Sequence, residues 1–344
     1  MKPEQAEQFF IEELFNKTQD KNILRDVKLL EIDKLTGDAS TRRYYRLFTD
    51  QGSYVVSLDN PFNEEPEKHP FMSVQSFLHE CHVKVPDILD HNLTRGYLLQ
   101  EDLGNVTLLQ HLSTIRSNKE EFEIYKKIID QLLELHTIPA SKVNNPNLFQ
   151  LKFDHQKFMD ETRFTFKYFL NFFNKMQDDT FISELEGLFD PIMKRLASQK
   201  MVITHRDFHS RNIMVKDSNH FTFIDFQDAR WGIPQYDLVS ILEDCYYDLS
   251  DENRQKLKRY YFDNLPAQIH GQKSWEEFSS NYEDMLIQRV YKAVGSFCYI
   301  YNWRKDDRYL KYIGFAMEKI RKVMMDNPKY DEIRKKLFQH YYAN

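Results

Sequence analysis

The sequence predicts an α+β chain of two lobes, a small β-rich N-lobe over residues 1–100 and a larger, mostly helical C-lobe over residues 101–344. Three observations predict it. Short apolar runs joined by a hairpin signal crowd the first hundred residues. Apolar periodicity near 3.6 dominates after Gly104. A polar loop inside Ile203-Thr204-His205-Arg206-Asp207-Phe208-His209-Ser210-Arg211-Asn212-Ile213-Met214-Val215 interrupts that helical half between two apolar strands. At 344 residues, with 41% hydrophobic and 15% aromatic side chains, the chain can bury a large core and is not a disordered one.

Residues 4–17 place Phe9, Phe10 and Leu14 on one face, which predicts a helix. Residues 27–32 are an apolar run and predict a strand. A small-residue turn, Gly37-Asp38-Ala39-Ser40-Thr41, opens the next segment, and residues 42–47 alternate large and charged side chains as a second strand would. Residues 53–58 predict a third strand, joined to the second by Thr49-Asp50-Gln51-Gly52. Small residues in the 37–41 turn let backbone N–H groups approach an anion; the same composition also suits an ordinary loop. Residues 71–82 predict a helix, 85–90 an extended segment, and 96–104 a strand ending in Asp102-Leu103-Gly104.

Beyond Gly104, residues 120–136 carry Ile128, Leu132 and Leu135 at helical spacing, 153–174 are rich in Phe and Tyr, and 181–198 are amphipathic. Residues 201–203, 213–215 and 221–224 predict three short strands. Helices are predicted over 236–247, 252–264, 274–301 and 308–325, with their aromatics in the core. The basic cluster Lys329, Arg334, Lys335 and Lys336 reads as a solvated helix face.

The loop carries chemistry. His205-x-Asp207-(x)4-Asn212 is followed, after one apolar strand, by Asp225. Phosphoryl transfer needs positioning and charge neutralisation more than covalent help. Asp207 is placed to orient or accept the proton of an attacking hydroxyl. Asn212 supplies a neutral amide oxygen and Asp225 an anionic one, the hard ligands that hold Mg²⁺ on nucleotide phosphates. His205 is expected to support the loop backbone rather than react. Arg206 can pair with a carboxylate or with a phosphate.

Bulk properties narrow the partners. With 47 basic against 53 acidic residues the net charge is −6, which gives no footprint for nucleic acid and favours small-molecule partners. Cys81, Cys245 and Cys298 are far apart and odd in number, so reduced thiols and a cytoplasmic location are expected. The acid-bearing N-terminus does not read as a signal peptide, and no run approaches the ~18 apolar residues that span a bilayer.

The His205-Asp207-Asn212-Asp225 set resembles the aminoglycoside phosphotransferase superfamily, which includes choline kinases and has a protein-kinase-like two-lobed fold. The run Ile224-Asp225-Phe226-Gln227-Asp228-Ala229-Arg230-Trp231-Gly232-Ile233-Pro234-Gln235-Tyr236-Asp237-Leu238-Val239-Ser240 is similar to the bacterial cell-wall amino-sugar kinases, which phosphorylate the anomeric hydroxyl of N-acetylmuramate and N-acetylglucosamine in peptidoglycan recycling. Residues 37–46 resemble that group's phosphate-loop strand. Arg289-Val290-Tyr291-Lys292-Ala293-Val294-Gly295-Ser296-Phe297, with Tyr309-Leu310, resembles its C-terminal helices. The resemblance spans roughly residues 27–325. It implies ATP and Mg²⁺ as cofactors and a monomer. It implies nucleotide contacts at Ser40, Thr41 and Arg43, with Glu101 and Leu103 at a hinge facing the adenine edge. It implies acceptor contacts at Asp228, Arg230, Tyr236, Arg289 and Lys292.

One feature departs from protein kinases. Their third strand carries a phosphate-gripping Lys paired to a helix Glu. Here Tyr54-Val55-Val56-Ser57-Leu58-Asp59 has no Lys, and the next helix has no acid between Phe71 and His79. Arg42, Arg43 or Arg46 is expected to supply that charge. Two alternatives stay open. One is the same fold acting on an aminoglycoside, choline or homoserine-like alcohol, with Glu243 and Asp244 available to a cation. The other is a nucleotide-binding pseudokinase, against which the intact Asp207, Asn212 and Asp225 argue.

Overall fold

The computed structural model describes residues 3–21, 23–35, 42–217, 220–272 and 274–339. Ser40 and Thr41, the expected phosphate contacts, lie outside them. Along the chain run α1 (Pro3–Asp20), β1 (Leu29–Leu35), β2 (Arg43–Thr49), β3 (Gly52–Leu58), α2 (Pro70–Glu80), β4 (Ile88–Asn92), β5 (Tyr97–Glu101), α3 (Leu108–Leu112), α4 (Asn118–His136), α5 (His155–Thr165), α6 (Asp179–Ala197), β6 (Val202–Thr204), β7 (Ile213–Asp217), β8 (His220–Phe223), β9 (Arg230–Gly232), α7 (Gln235–Leu242), α8 (Asp251–Asn264), α9 (Ala267–His270), α10 (Trp275–Arg304), α11 (Lys311–Asp326) and α12 (Asp331–Phe338). The chain divides into two compact units, residues 1–106 with 214–227, and residues 107–213 with 228–344. Among the described residues no helix is long and apolar enough to cross a membrane.

The first unit is built on a five-stranded antiparallel sheet in the order β1-β2-β3-β5-β4. The β2–β3 register pairs Thr49 with Gly52, so Asp50 and Gln51 form a two-residue loop. Gly52 takes a φ of 128°, a region that favours glycine over residues with a Cβ. Tyr45 and Leu47 of β2, Val56 and Leu58 of β3, and Tyr97 and Leu99 of β5 point to one face at period two. They bury themselves against Ile11, Leu14 and Phe15 of α1. Each such side chain contributes about 1.5–3 kcal/mol by leaving water. The buried stripe of α1 is therefore Ile11, Leu14, Phe15 and Thr18. Of the residues expected on that face, Leu14 and Phe10 pack against the sheet and Phe9 is exposed.

The segment 214–227 belongs to this first unit, whereas the sequence reading assigned it to the larger lobe. Its anchors are tertiary. Phe223 N–H donates to Lys84 O at 2.8 Å, Val215 N–H donates to Val106 O at 2.8 Å, and the Phe226 ring lies 4.9 Å from Phe71 of α2.

The second unit is helical around α10, whose buried residues run from Phe278 to Cys298. Tyr291 of α10 meets the rings of Phe166, Phe169 and Phe189. Gly295 allows α5 to come close, since a Cβ there would stand 2.4 Å from Thr165 Oγ1. The aromatic-rich stretch 153–174 folds as two helical pieces, α5 and a π-helical segment Phe166–Phe173. The wider turn, closed by Asn174 N–H to Phe169 O at 2.9 Å, turns Phe166, Phe169 and Leu170 inward together. β6 pairs with β9, a three-residue strand too short to show a period in the sequence.

Candidate active site

The loop after β6 is held by two buried carboxylates. Asp237 of α7 accepts from His205 N–H at 2.6 Å and Arg206 N–H at 2.9 Å, and its Oδ2 lies 3.2 Å from His136 Nε2. Asp244 accepts from Ser210 N–H at 2.8 Å. Between these clamps Arg206 takes a φ of 80°, a conformation unusual for a side-chain-bearing residue. Ser210 O receives Leu109 N–H at 3.0 Å, and Asn212 N–H donates to His209 O at 2.9 Å. Asn212 Nδ2 donates to Asp207 O at 3.0 Å, which fixes which end of the amide is oxygen. His205 donates its backbone N–H to Asp237, and its buried ring meets Phe208 edge-on.

Asp207 stands among cations. Arg206 Nη1 lies 3.3 Å from Oδ2, and Arg289 Nη2 and Lys292 Nζ each lie 3.7 Å from Oδ1. Burial favours the neutral acid, but Lys292, Arg206 and Arg289 together outweigh it and hold the carboxyl far below the usual range. Burial in turn pushes Lys292 below the ordinary lysine value, against the pull of Asp207. Arg289 and Lys292 are one turn apart on α10, so they present a single basic face. A cavity of about 130 Å³ opens there, lined among others by Asp207, His209, Glu243, Asp244, Arg289 and Lys292. Cys245 also lines it; burial pushes its thiol up to about 12, which leaves it inert. All three cysteines are free thiols.

Two of the five expected acceptor residues, Arg289 and Lys292, line that cavity; Asp228, Arg230 and Tyr236 do not. Asp228 pairs with Arg206 at 2.6 Å and with Arg230 at 3.5 Å. Arg206 thus sits against two carboxylates, Asp207 and Asp228. Arg230 is buried over the Phe153 ring. Tyr236 is fully buried, stacked 4.1 Å from Phe153 and beneath the Arg289 guanidinium, so it shapes the cavity from behind. Sequence reasoning missed Asp237 as the anchor of the loop. Its signal was an acid in the otherwise apolar run Tyr236-Asp237-Leu238-Val239.

In the first unit Asp225 has a φ of 67° and accepts from Gln227 Nε2 at 2.8 Å. A non-glycine residue held in that region costs free energy and is characteristic of functional positions. The three arginines considered for the missing lysine go to different places. Arg43 pairs with Glu7 of α1 at 2.9 Å and is half-exposed, away from its expected role. Arg46 donates to Asp102 at 2.9 Å, Asn105 at 2.6 Å and Gly104 O at 3.0 Å, so it braces the hinge turn. Arg42 donates to Asp59 at 2.8 Å. At the expected hinge, Glu101 N–H donates to Asp87 O at 2.9 Å. Asn212 in the second unit carries an amide oxygen and Asp225 in the first a carboxylate, each a hard donor of the kind a divalent cation takes. Among the described residues no group of three or more His, Cys, Asp or Glu forms a metal cage by itself.

Residues 31–271, more than half of the chain, match the model of APH, the phosphotransferase enzyme family, and the chain belongs to that family. It is 28% identical over 293 residues to an N-acetylmuramate/N-acetylglucosamine kinase of Neisseria meningitidis, covering 83% of each chain. It is 28% identical over 287 residues to a protein of the same name from Pseudomonas aeruginosa, covering 83% of this chain and 81% of that one. Among solved structures, a gentamicin complex of APH(2")-IIa aligns with a TM-score of 0.59 at 17% identity, covering 90% of this chain and 94% of that one. Choline kinase LicA from Streptococcus pneumoniae aligns with a TM-score of 0.59 at 13% identity, covering 90% and 99%. These likenesses establish the fold as the kinase-like one expected from the sequence.

Proposed function

We propose that this member of the phosphotransferase enzyme family is an ATP-dependent kinase acting on the anomeric hydroxyl of a cell-wall amino sugar, N-acetylmuramate, N-acetylglucosamine or both. The observation that carries the reading is the basic wall of the Asp207 cavity, Arg289 and Lys292, each 3.7 Å from the carboxylate. Such a wall suits a polyhydroxy acceptor, and the lactyl carboxylate of a muramate most of all. It repels a polycation. The two acids that an aminoglycoside acceptor would need are already engaged. Glu243 accepts from Tyr282 Oη at 3.0 Å and pairs with Arg254 and Lys319 at 3.3 and 3.5 Å, and Asp244 accepts from two backbone N–H groups. The names of the Neisseria and Pseudomonas relatives support the same acceptor.

Asp207 works as an orienting group more than as a strong base. A carboxylate held this acidic does not ionise an alcohol in the ground state. It aligns the O–H and takes the proton as the forming O–P bond acidifies it, a demand the relatively acidic anomeric hydroxyl meets easily. Arg206, Arg289 and Lys292 keep Asp207 ionised and aim it. Asn212 and Asp225 would hold Mg²⁺, which supplies charge neutralisation on the nucleotide phosphates. Leu103 and its neighbours would receive the adenine. An ATP-dependent reaction suits a cytoplasmic location, and we take the monomer as the working form.

A panel of acceptors with ATP and Mg²⁺, followed by ³¹P NMR of the products, tests the proposal. An anomeric phosphate on an amino sugar is the expected product. Phosphate on a primary alcohol of choline or on an aminoglycoside would replace this reading with the alternative acceptor class. ADP binding with no transfer to any acceptor would make the chain a pseudokinase.

A further inference from the structure

A kinase-like site needs a protein cation on the nucleotide phosphates, and the third strand of this sheet offers none. The first unit nonetheless assembles one. Arg42 immediately precedes β2, and Asp59 immediately follows β3, opposite it across the hairpin. The Asp59 carboxylate accepts from Arg42 Nε at 2.8 Å. Asp59 is itself fixed, because its N–H donates to Gly96 O at 2.8 Å and its Oδ1 accepts from Asn60 N–H at 2.7 Å. Gly96 has a φ of 68°, and a Cβ there would stand 2.0 Å from Asp59 O, so the approach depends on glycine. The Arg42 guanidinium lies 5.1 Å over the Phe71 ring, and Phe71 packs on Phe226, the residue after Asp225. Burial raises the Tyr44 hydroxyl, which also feels the charges of Arg42 and Asp225. The side chain of Arg42 is 15% exposed, so its charge is partly desolvated while its contacts hold it in place.

We propose that Arg42, held by Asp59, grips the nucleotide phosphates beside Asp225 in the place that a strand Lys and helix Glu take in protein kinases. The assignment rests on reading the chain as an ATP-dependent kinase. It selects one of three arginines: Arg43 is turned to Glu7, and Arg46 is spent on the hinge turn. An arginine suits the task because its planar fork can hold Asp59 with one edge and phosphate oxygens with another.

Affinities for ADP and for adenosine, measured by calorimetric titration on the full chain, test it. Arg42→Gln is expected to weaken ADP at least about tenfold and to leave adenosine within about twofold, because adenosine has no phosphate to lose. That contrast separates a phosphate contact from a structural one, which would move both ligands together. Arg42→Gln leaves Asp59 without its cation, so the double variant Arg42→Gln/Asp59→Asn, which substitutes a neutral amide pair, serves if the single variant does not fold. It is expected to show the same selective loss. An unchanged ADP affinity, an equal loss of ADP and adenosine, or the selective loss appearing in Arg43→Gln or Arg46→Gln instead would overturn the assignment. Wild-type protein that binds neither ADP nor adenosine would sink the kinase reading itself, a different failure from an intact Arg42→Gln.

Discussion

Replacing Asp237 with Asn asks whether one buried carboxylate holds the catalytic loop. Asp237 accepts from the backbone N–H groups of His205 and Arg206 at 2.6 and 2.9 Å, with no solvent exposure. Asparagine keeps the shape and one oxygen, but its amide turns a donor toward one of those donors. A hydrogen bond to a charged group contributes roughly 1.5–3 kcal/mol, and a buried N–H left without an acceptor adds roughly 1–3 kcal/mol. With partial relaxation the expected loss is about 2–4 kcal/mol, a sizeable part of a typical stability of roughly 5–15 kcal/mol. In a unit of this size that lowers Tm by roughly 5–15 °C. The loop carries Asp207, and a displacement on the order of 1 Å costs up to ~10²-fold in rate, so turnover should fall about 10- to 100-fold at a temperature where the variant is fully folded. Calorimetric melting and steady-state turnover on the same preparations read both. A Tm within about 1 °C of wild type with turnover within about twofold would refute the anchoring role. A lowered Tm with unchanged turnover would leave Asp237 as a fold residue only.

Asp207→Asn should lower turnover at least ~10²-fold while ADP affinity holds, measured by single-turnover transfer and titration; near-normal turnover removes Asp207 from the reaction. Lys292 loses its proton at a lower pH than an ordinary lysine, whose value is about 10.4. The rate should therefore fall on the alkaline side below that value, and in Lys292→Arg, whose guanidinium does not titrate, that fall should vanish; an unmoved profile refutes the role. The Asp207 carboxyl is held low, so its charge contributes stability fully present above the ordinary carboxylate range and lost only as pH drops through the lowered value. Asp207→Asn should accordingly leave the melting temperature at pH 7 lowered, with the gap to wild type constant from pH 7 down to about 5; a gap that closes across that window contradicts the assignment. Arg46→Ala should weaken adenosine and ADP alike, by a few-fold, because it releases Asp102 and Gly104 at the hinge; a loss confined to ADP would make Arg46 a phosphate ligand instead.

Much of the fold was legible because its signals are local. Alternating large and charged residues marked the strand over 42–47, the run 53–58 marked its neighbour, and the Thr49-Asp50-Gln51-Gly52 turn closed their hairpin. The long helix α10 and the amphipathic α4 and α6 followed from apolar spacing alone. What failed locally failed for tertiary reasons. The buried stripe of α1 kept Leu14 but took Ile11 and Phe15 in place of Phe9, because the sheet chose the face. The aromatic helix after α5 widened into a π segment because its rings share a core with Tyr291 and Phe189.

At the site the sequence by itself determined the chemistry. An Asp and an Asn five residues apart, with a second Asp beyond an apolar strand, are the side chains phosphoryl transfer requires, and their identities alone name the reaction class. Only the tertiary structure decided what surrounds them. Sequence spacing carries no information on which of several like charges meets which partner, since that depends on elements distant along the chain. Packing of α10 brought Arg289 and Lys292 to Asp207, packing of α7 brought Asp237 under the loop, and the β2–β3 hairpin set Arg42 against Asp59 while sending Arg43 and Arg46 elsewhere.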